Sequence, residues 1–247
     1  MKQKIWSIII IVLLIACNAQ AQDVKQKGNC PSFIIGVTGG LSAASGNFVK
    51  SDYGNNRSGF AGSGYNIGVT ATYFLTKNFG ISALVGYSQF SFRGIQNIAN
   101  GFHESFNVDS ASAASKGNSH TINILAGPCY SLSLSKKFSV DFRALAGLTN
   151  ATLAGWNVVL TDAGITHPPL TQNTATAGAL GLQAGVGLCY NISQRWSCSL
   201  NADYFYSKPD FSIVNVDRNA NAGREISEYH ESISGINANL TLSYMLH

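Results

Sequence analysis

The sequence predicts an all-β protein: an eight-stranded antiparallel up-and-down β-barrel that crosses a membrane, with four long extracellular loops and three short periplasmic turns. Three observations carry that expectation. Several stretches alternate apolar and polar residues with a period of two, the mark of a strand with two unlike faces. A short turn motif recurs at nearly constant spacing. Only 11% of the residues are charged, whereas the surface of a soluble domain takes roughly 25–35%. No apolar run reaches the ~20 residues of a spanning helix, so strands must explain the low charge.

The N-terminus reads as an export signal. Ile5 to Ala16 form a short apolar run behind Lys2 and Lys4, and Ala19-Gln20-Ala21 offers a cleavage site. Residues 1–21 are therefore a signal peptide, 22–32 a short periplasmic segment and 33–247 the barrel. Leu14-Ile15-Ala16-Cys17 also resembles a lipobox, which would make Cys17 a lipidated N-terminus. Cleavage after Ala21 is the simpler reading, because a spanning barrel needs no lipid anchor. Loss of Lys2 and Lys4 lowers the net charge from +4 to +2, with the basic residues scattered. Nothing in that distribution suggests a nucleic-acid surface. Cys30, Cys129, Cys189 and Cys198 make no C-x-x-C pair, so they suggest no metal site. They remain open to either disulfide formation or simple packing.

The turn motif is Leu75-Thr76-Lys77-Asn78-Phe79, then Leu134-Ser135-Lys136-Lys137-Phe138, then Ile192-Ser193-Gln194-Arg195-Trp196, beginning 59 and then 58 residues apart. Each reads aliphatic, hydroxyl, two polar or basic residues, aromatic, and each lies between two alternating stretches as a hairpin would. The alternation is clean in six strands. Tyr65, Ile67, Val69, Ala71 and Tyr73 share one face of the second; Ile122, Ile124, Ala126, Pro128, Tyr130 and Leu132 share one face of the fourth. The fifth begins at Phe138, the sixth runs Leu180 to Ile192, the seventh Trp196 to Tyr206 and the last Ile236 to Leu246. The first, Phe33 to Ser42, and the third, Phe79 to Phe92, are less regular. Pro128 removes a ladder donor and is expected at a bulge. The polar segments Ala43–Ser63, Arg93–Asn118, Gly155–Thr176 and Lys208–Ser232 are expected as the long loops.

A soluble ligand-carrying barrel would share this pattern with its faces reversed. The polar faces here carry Gly, Ser, Thr, Asn and Gln with very few Lys or Glu, which suits a crowded narrow interior. The apolar faces carry no charge, and one at mid-bilayer would cost roughly 2–4 kcal/mol. Aromatic residues sort to the strand ends. Tyr73, Phe79, Tyr130, Phe138, Tyr190, Trp196 and Tyr244 fall near the short turns or the C-terminal end, and Tyr65, Tyr87, Tyr204 and Tyr206 near the long loops. Two such bands are expected as girdles at the two membrane interfaces.

From Phe33 to His247 the chain resembles the small outer-membrane barrels of the OmpA and OmpX type. The resemblance rests on the signal peptide, the eight alternating strands and the final strand Leu240-Thr241-Leu242-Ser243-Tyr244-Met245-Leu246-His247. That strand is similar to the family's C-terminal assembly signal, with His247 in place of the usual terminal aromatic. The resemblance implies outer-membrane lipid and the barrel-assembly machinery as partners and no cofactor. The chain stops at the barrel, so the peptidoglycan-binding domain of full-length OmpA is expected to be absent, and the resemblance says little of function.

Candidate chemistry lies in the lumen and the loops. Asp141 and Arg143 point inward on the fifth strand and Asp203 on the seventh, at similar heights given ~3.3 Å per residue. Gly185 and Gly187 on the strand between leave room for Arg143 to reach either carboxylate, with Asn201 and Gln183 nearby. Such a cluster would plug the barrel or line a gate. His230 and Ser232 at the end of the last loop could serve a lipid-modifying hydrolase, since a His can activate a Ser hydroxyl. Ser119-His120 is a weaker pair of that kind. His103, Glu104, Glu228 and His230 would ligate a metal only if two loops met. The loop tips Asp109–Asn118 and Asn215–Arg224 are the places for an extracellular ligand, and Asp109-Ser110-Ala111 resembles a bacterial O-glycosylation sequon. The expected role is non-enzymatic: structural, interaction or minor permeability.

Overall fold

The structure, a computed structural model, describes residues 33–55, 57–217 and 225–246. The predicted signal peptide, Cys17, Ala21, Cys30 and His247 lie outside the described residues. Eight strands close into a barrel: β1 (Phe33–Ala44), β2 (Ala61–Phe74), β3 (Phe79–Phe92), β5 (Ser119–Ser133), β6 (Phe138–Leu153), β10 (Ala175–Asn191), β11 (Trp196–Ser207) and β14 (Ile233–Leu246). Each pairs antiparallel with its neighbour in the chain, and β1 pairs with β14 from Phe33↔Leu246 to Ala44↔Gly235. Closure leaves no strand edge without a partner, which a bilayer demands.

The repeated turns have one chemical explanation. In each, the aliphatic residue's N–H donates to the aromatic residue's carbonyl: Leu75 to Phe79 at 3.0 Å, Leu134 to Phe138 at 2.9 Å and Ile192 to Trp196 at 2.9 Å. The hydroxyl then accepts from the aromatic residue's own N–H, with Thr76, Ser135 and Ser193 at 3.0, 3.1 and 3.1 Å. A side-chain acceptor thus stands in for a missing ladder partner, which is why the motif keeps a hydroxyl at its second place.

Period-two alternation turns one face of every strand outward. Leu41 and Leu148 are 71% and 70% exposed, and Val37, Ile67, Val85, Ile124, Leu180 and Leu200 also face away from the protein. Apolar surface this extensive is not left facing water. The soluble reading is thereby corrected, since the apolar faces lie outside the barrel rather than around a ligand.

Two expectations change. Pro128 occupies no bulge: Ala126↔Ala146 and Cys129↔Arg143 keep one register on either side of it. The ladder toward β6 omits Gly127 and Pro128, while Pro128 stays paired with Ile81 on β3. The bulge lies instead in β2, between Ala61 and Gly64.

The second change is larger, because the four long segments are themselves folded. Three of them contribute β4 (Ser110–Ser115), β7 (Trp156–Asp162), β8 (Ile165–Thr166), β9 (Leu170–Gln172), β12 (Asp210–Asp217) and β13 (Glu225–His230) to a second sheet, in the order β13-β12-β9-β7-β4 with β8 beside β7. The helix α1 (Ile95–Phe106) buries Ile98, Ala99 and Phe102, a stripe at helical spacing. It packs on Val158 and Leu160, with Phe102 edge-on to Trp156 at 5.4 Å. Gly94 opens the helix at φ 72°; a Cβ there would meet the Cβ of Ser51 at 2.4 Å. This cap makes the loops a preformed surface.

In detergent, the unboiled protein is expected to migrate differently from the boiled protein and to fractionate with the outer membrane. Identical mobility before and after boiling would contradict a closed, detergent-resistant barrel.

Candidate functional site

The lumen is built from the inward residues of all eight strands. Midway along it, Arg143 grips Asp203 in a two-pronged pair, with Nε to Oδ1 at 2.8 Å and Nη2 to Oδ2 at 2.6 Å. The Asp203 side chain is fully buried and that of Arg143 is 17% exposed. Taking these charges out of water is costly, and the fork geometry offsets the cost. Asn239 adds a bond from Nδ2 to Asp203 Oδ2 at 3.2 Å.

Of the two acids within its expected reach, Arg143 takes Asp203. Asp141 accepts instead from the hydroxyls of Ser131 at 2.6 Å and Ser139 at 3.3 Å. Asn201 donates to Thr241 at 2.9 Å, which donates to Thr38 at 2.9 Å. Gln183 is buried and lines, with Arg143, Asn237 and Asn239, a cavity of about 20 Å³. That is room for about one water molecule. The space that glycine provides is used: a Cβ on Gly185 would lie 1.8 Å from Asp203 Oδ1, and one on Gly187 2.2 Å from Asn201 Oδ1. Asn239, Thr241 and Thr38 were missed because each looked like one more polar residue on an alternating strand. The cysteines Cys129, Cys189 and Cys198 are free thiols, the first two buried.

Above the polar layers the lumen changes character. Phe48, Phe90, Phe205, Phe211, Ile213 and Ile233 pack as one buried cluster, with Phe48 edge-on to Phe90 at 5.2 Å. The interior is therefore not uniformly polar, as the sequence suggested, and Leu125 and Leu145 are buried as well. Phe205 was a legible signal, since it stands between Tyr204 and Tyr206 and strand parity must turn it inward.

The aromatic residues predicted for the girdles lie on the outer face. Tyr65, Tyr73, Phe79, Tyr130, Phe138, Tyr190, Trp196, Tyr204 and Tyr206 are exposed, and Tyr87 and Tyr244 half-buried. Phe138 meets Tyr190, and Trp196 meets Tyr244, each at 5.0 Å beside the short turns. At the other end the hydroxyls of Tyr65 and Tyr87 both donate to Gln89 Oε1, at 3.0 and 3.2 Å.

Among the described residues the loop candidates form no hydrogen-bonded Ser–His pair. His230 Nδ1 lies 2.6 Å from Asp210 Oδ1 on the paired strand, both side chains exposed. No bond joins His230 to Ser232 among the described residues. Ser119 faces inward and accepts from the Ala154 N–H at 3.1 Å, while His120 lies on the opposite face against Tyr87. His103 and Glu104 are exposed on α1; the Glu228 side chain lies outside the description, as do those of Asn215 to Arg224. Among the described residues, no group of three metal-ligating side chains forms. The expected loop tip Asp109–Asn118 is mostly strand β4, and Asp109 Oδ2 there accepts from the Ala163 N–H at 2.8 Å. Between the 45–60 segment and α1 opens a cleft of about 390 Å³ lined by Ser51, Asp52, Tyr53, Asn97, Asn100 and Glu104.

A closed eight-stranded barrel with a lipid-like exterior and a filled lumen defines a membrane-spanning β-barrel of the bacterial outer membrane. Residues 9–244 match the model of the outer membrane protein beta-barrel domain, and the chain belongs to that family. No curated protein matches it. Among solved structures it is similar in fold to a major outer membrane protein from Thermus thermophilus, at 14% identity and a TM-score of 0.50, covering 87% of this chain and 100% of that one. It is also similar to OprG from Pseudomonas aeruginosa, at 11% identity and a TM-score of 0.47, and to Ail, the attachment invasion locus protein of Yersinia pestis, at 14% and 0.44; both cover 87% of this chain and 97% of theirs.

Asp203→Asn strands the Arg143 guanidinium and is expected to cost about 3 kcal/mol, read from the urea midpoint of the barrel in lipid vesicles. The paired change Arg143→Met with Asp203→Leu should recover most of that loss. Gly185→Ala is expected to destabilise by about 1–3 kcal/mol through overpacking, measured the same way.

Proposed function

We propose that the protein is a non-enzymatic outer-membrane barrel whose role is structural and interactive, carried by the folded extracellular cap. The observation behind this reading is that the lumen is obstructed at two heights. The Arg143–Asp203 layer leaves about 20 Å³ beside it, and the Phe48–Phe90–Phe205–Phe211 cluster lies above. An eight-stranded barrel has little interior to spare once side chains fill it, so permeation is a minor role. The cap offers a polar cleft of about 390 Å³, within the size range of small-ligand sites, on loops held in place by a sheet and a helix. Asn97 Nδ2 ties α1 to the first loop through the Ser51 carbonyl at 2.6 Å.

The test is a planar-bilayer recording of the refolded protein beside a porin control, with a labelled-phospholipid deacylation assay on the same preparation. Neither stepwise conductance nor lipid turnover is expected. Resolved channels would favour a permeability role, and turnover lost in His230→Ala would establish a hydrolase.

A further inference from the structure

Glu231 is an unusual residue to find where it is. It lies between β13 and β14, beyond the outer aromatic band, and is 0% exposed. Neither carboxyl oxygen has a hydrogen-bond partner among the described residues. An ionised carboxylate without partners is not tolerated in such a place, so the site selects the protonated acid.

Its surroundings tie it to the first loop, residues 45–60. At the loop's root, Ser45 N–H donates to the Ser234 carbonyl at 2.9 Å, and Ser234 Oγ donates to the Ser45 carbonyl at 2.9 Å. Near its far end, the Tyr229 hydroxyl donates to the Ser58 carbonyl at 3.2 Å. Glu231 falls in the chain between these two attachments, and Phe48 of the loop is driven into the barrel mouth with Phe90 and Ile233. In the closed loop the Tyr229 proton goes to Ser58; an ionised Glu231 would compete for that proton and draw it off the loop.

We propose that Glu231 is a proton-operated latch, holding the first loop over the barrel mouth while protonated and releasing it on ionisation. The charged and titratable groups around it are Tyr229 on β13 and Lys50 and Arg57 on the loop. Burial pushes the Glu231 carboxyl up to about 8, against a lowering pull from Tyr229, Arg57 and Lys50. Burial, and then Glu231 itself, also raises the Tyr229 hydroxyl. The closed form therefore binds a proton more tightly than the open form, whose carboxyl has the ordinary value of 4.5. Closure is fully supported below that ordinary value. It weakens by up to tenfold per pH unit as pH rises toward the closed-form value of about 8 and is flat beyond. Release would open the carboxylate to water, which can then solvate it. The latch does not depend on the role proposed for the cap.

The loop carries its own reporters, because trypsin cuts after Lys50 and Arg57. Lys50 is held by backbone bonds to Asn47 and Phe60 at 3.0 and 2.9 Å, so cleavage requires the loop to open. The experiment follows tryptic cutting of the refolded barrel in detergent micelles from about pH 6 to 9.5, relative to a free peptide of the same sequence at each pH. The relative rate is expected to climb up to tenfold per unit to about pH 8 and then level. Glu231→Gln should stay at the low-pH rate throughout. A flat wild-type profile, or the same climb in Glu231→Gln, would overturn the latch. Should that variant not fold, the ¹³C titration of glutamate-labelled wild type decides: a buried midpoint near 8 supports the proposal, and ordinary midpoints for every glutamate refute it.

Discussion

Backbone hydrogen bonding in a solvent that supplies none governs the rest of this molecule. A strand facing lipid must find both its donors and its acceptors within the protein, and the pairing of β1 with β14 along their length completes that set. Eight strands are a small circumference. Once they close, the lumen is a crowded space whose inward residues must be short, or paired, or both. Gly185 and Gly187 are empty places that make room for Asp203 and Asn201, and Asp203 in turn lets Arg143 sit half-buried in the lumen. The turn hydroxyls of Thr76, Ser135 and Ser193 answer the same demand where the ladder ends.

The cap follows a different solvent. Outside the membrane the loops meet water, and there many of the apolar residues turn inward as in a soluble fold. Phe102 of α1 rests on Trp156 of β7, and Phe48 and Phe211 fill the barrel mouth. The protein thus inverts its polarity along its axis, lipid-facing on the barrel and core-forming above it. Glu231 is fully buried in that half, its carboxyl without a hydrogen-bond partner among the described residues, so a residue of the water-exposed half acquires the chemistry of an interior.

Much of the barrel was legible because its signal is local. Alternation over ten residues fixes which side chains face lipid, and the aliphatic–hydroxyl–aromatic turns fix where strands reverse. Period two also placed Asp141, Arg143 and Asp203 on inward faces. The choice of partner was not legible, since Arg143 takes Asp203 and leaves Asp141 to two serines. That outcome depends on which neighbouring strand lies close at that height and on hydroxyls whose role no spacing reveals. The loops were harder, because abundant Gly, Ser and Asn hid the helical spacing of Ile95, Ile98, Ala99 and Phe102 and the alternation of Phe211 and Ile213.

By itself, then, the sequence determined the barrel: its strand number, its inside and outside, and its lipid environment. Each follows from residue patterns only a few positions long. Only the tertiary structure decided that the lumen is closed by one ion pair and an aromatic cluster. The same holds for the loops becoming a sheet and for a glutamate sealed beneath them. Those features join residues as far apart as Phe48 and Phe211, or Ser58 and Tyr229. Burial and pairing across such distances are properties of the closed fold rather than of any segment within it.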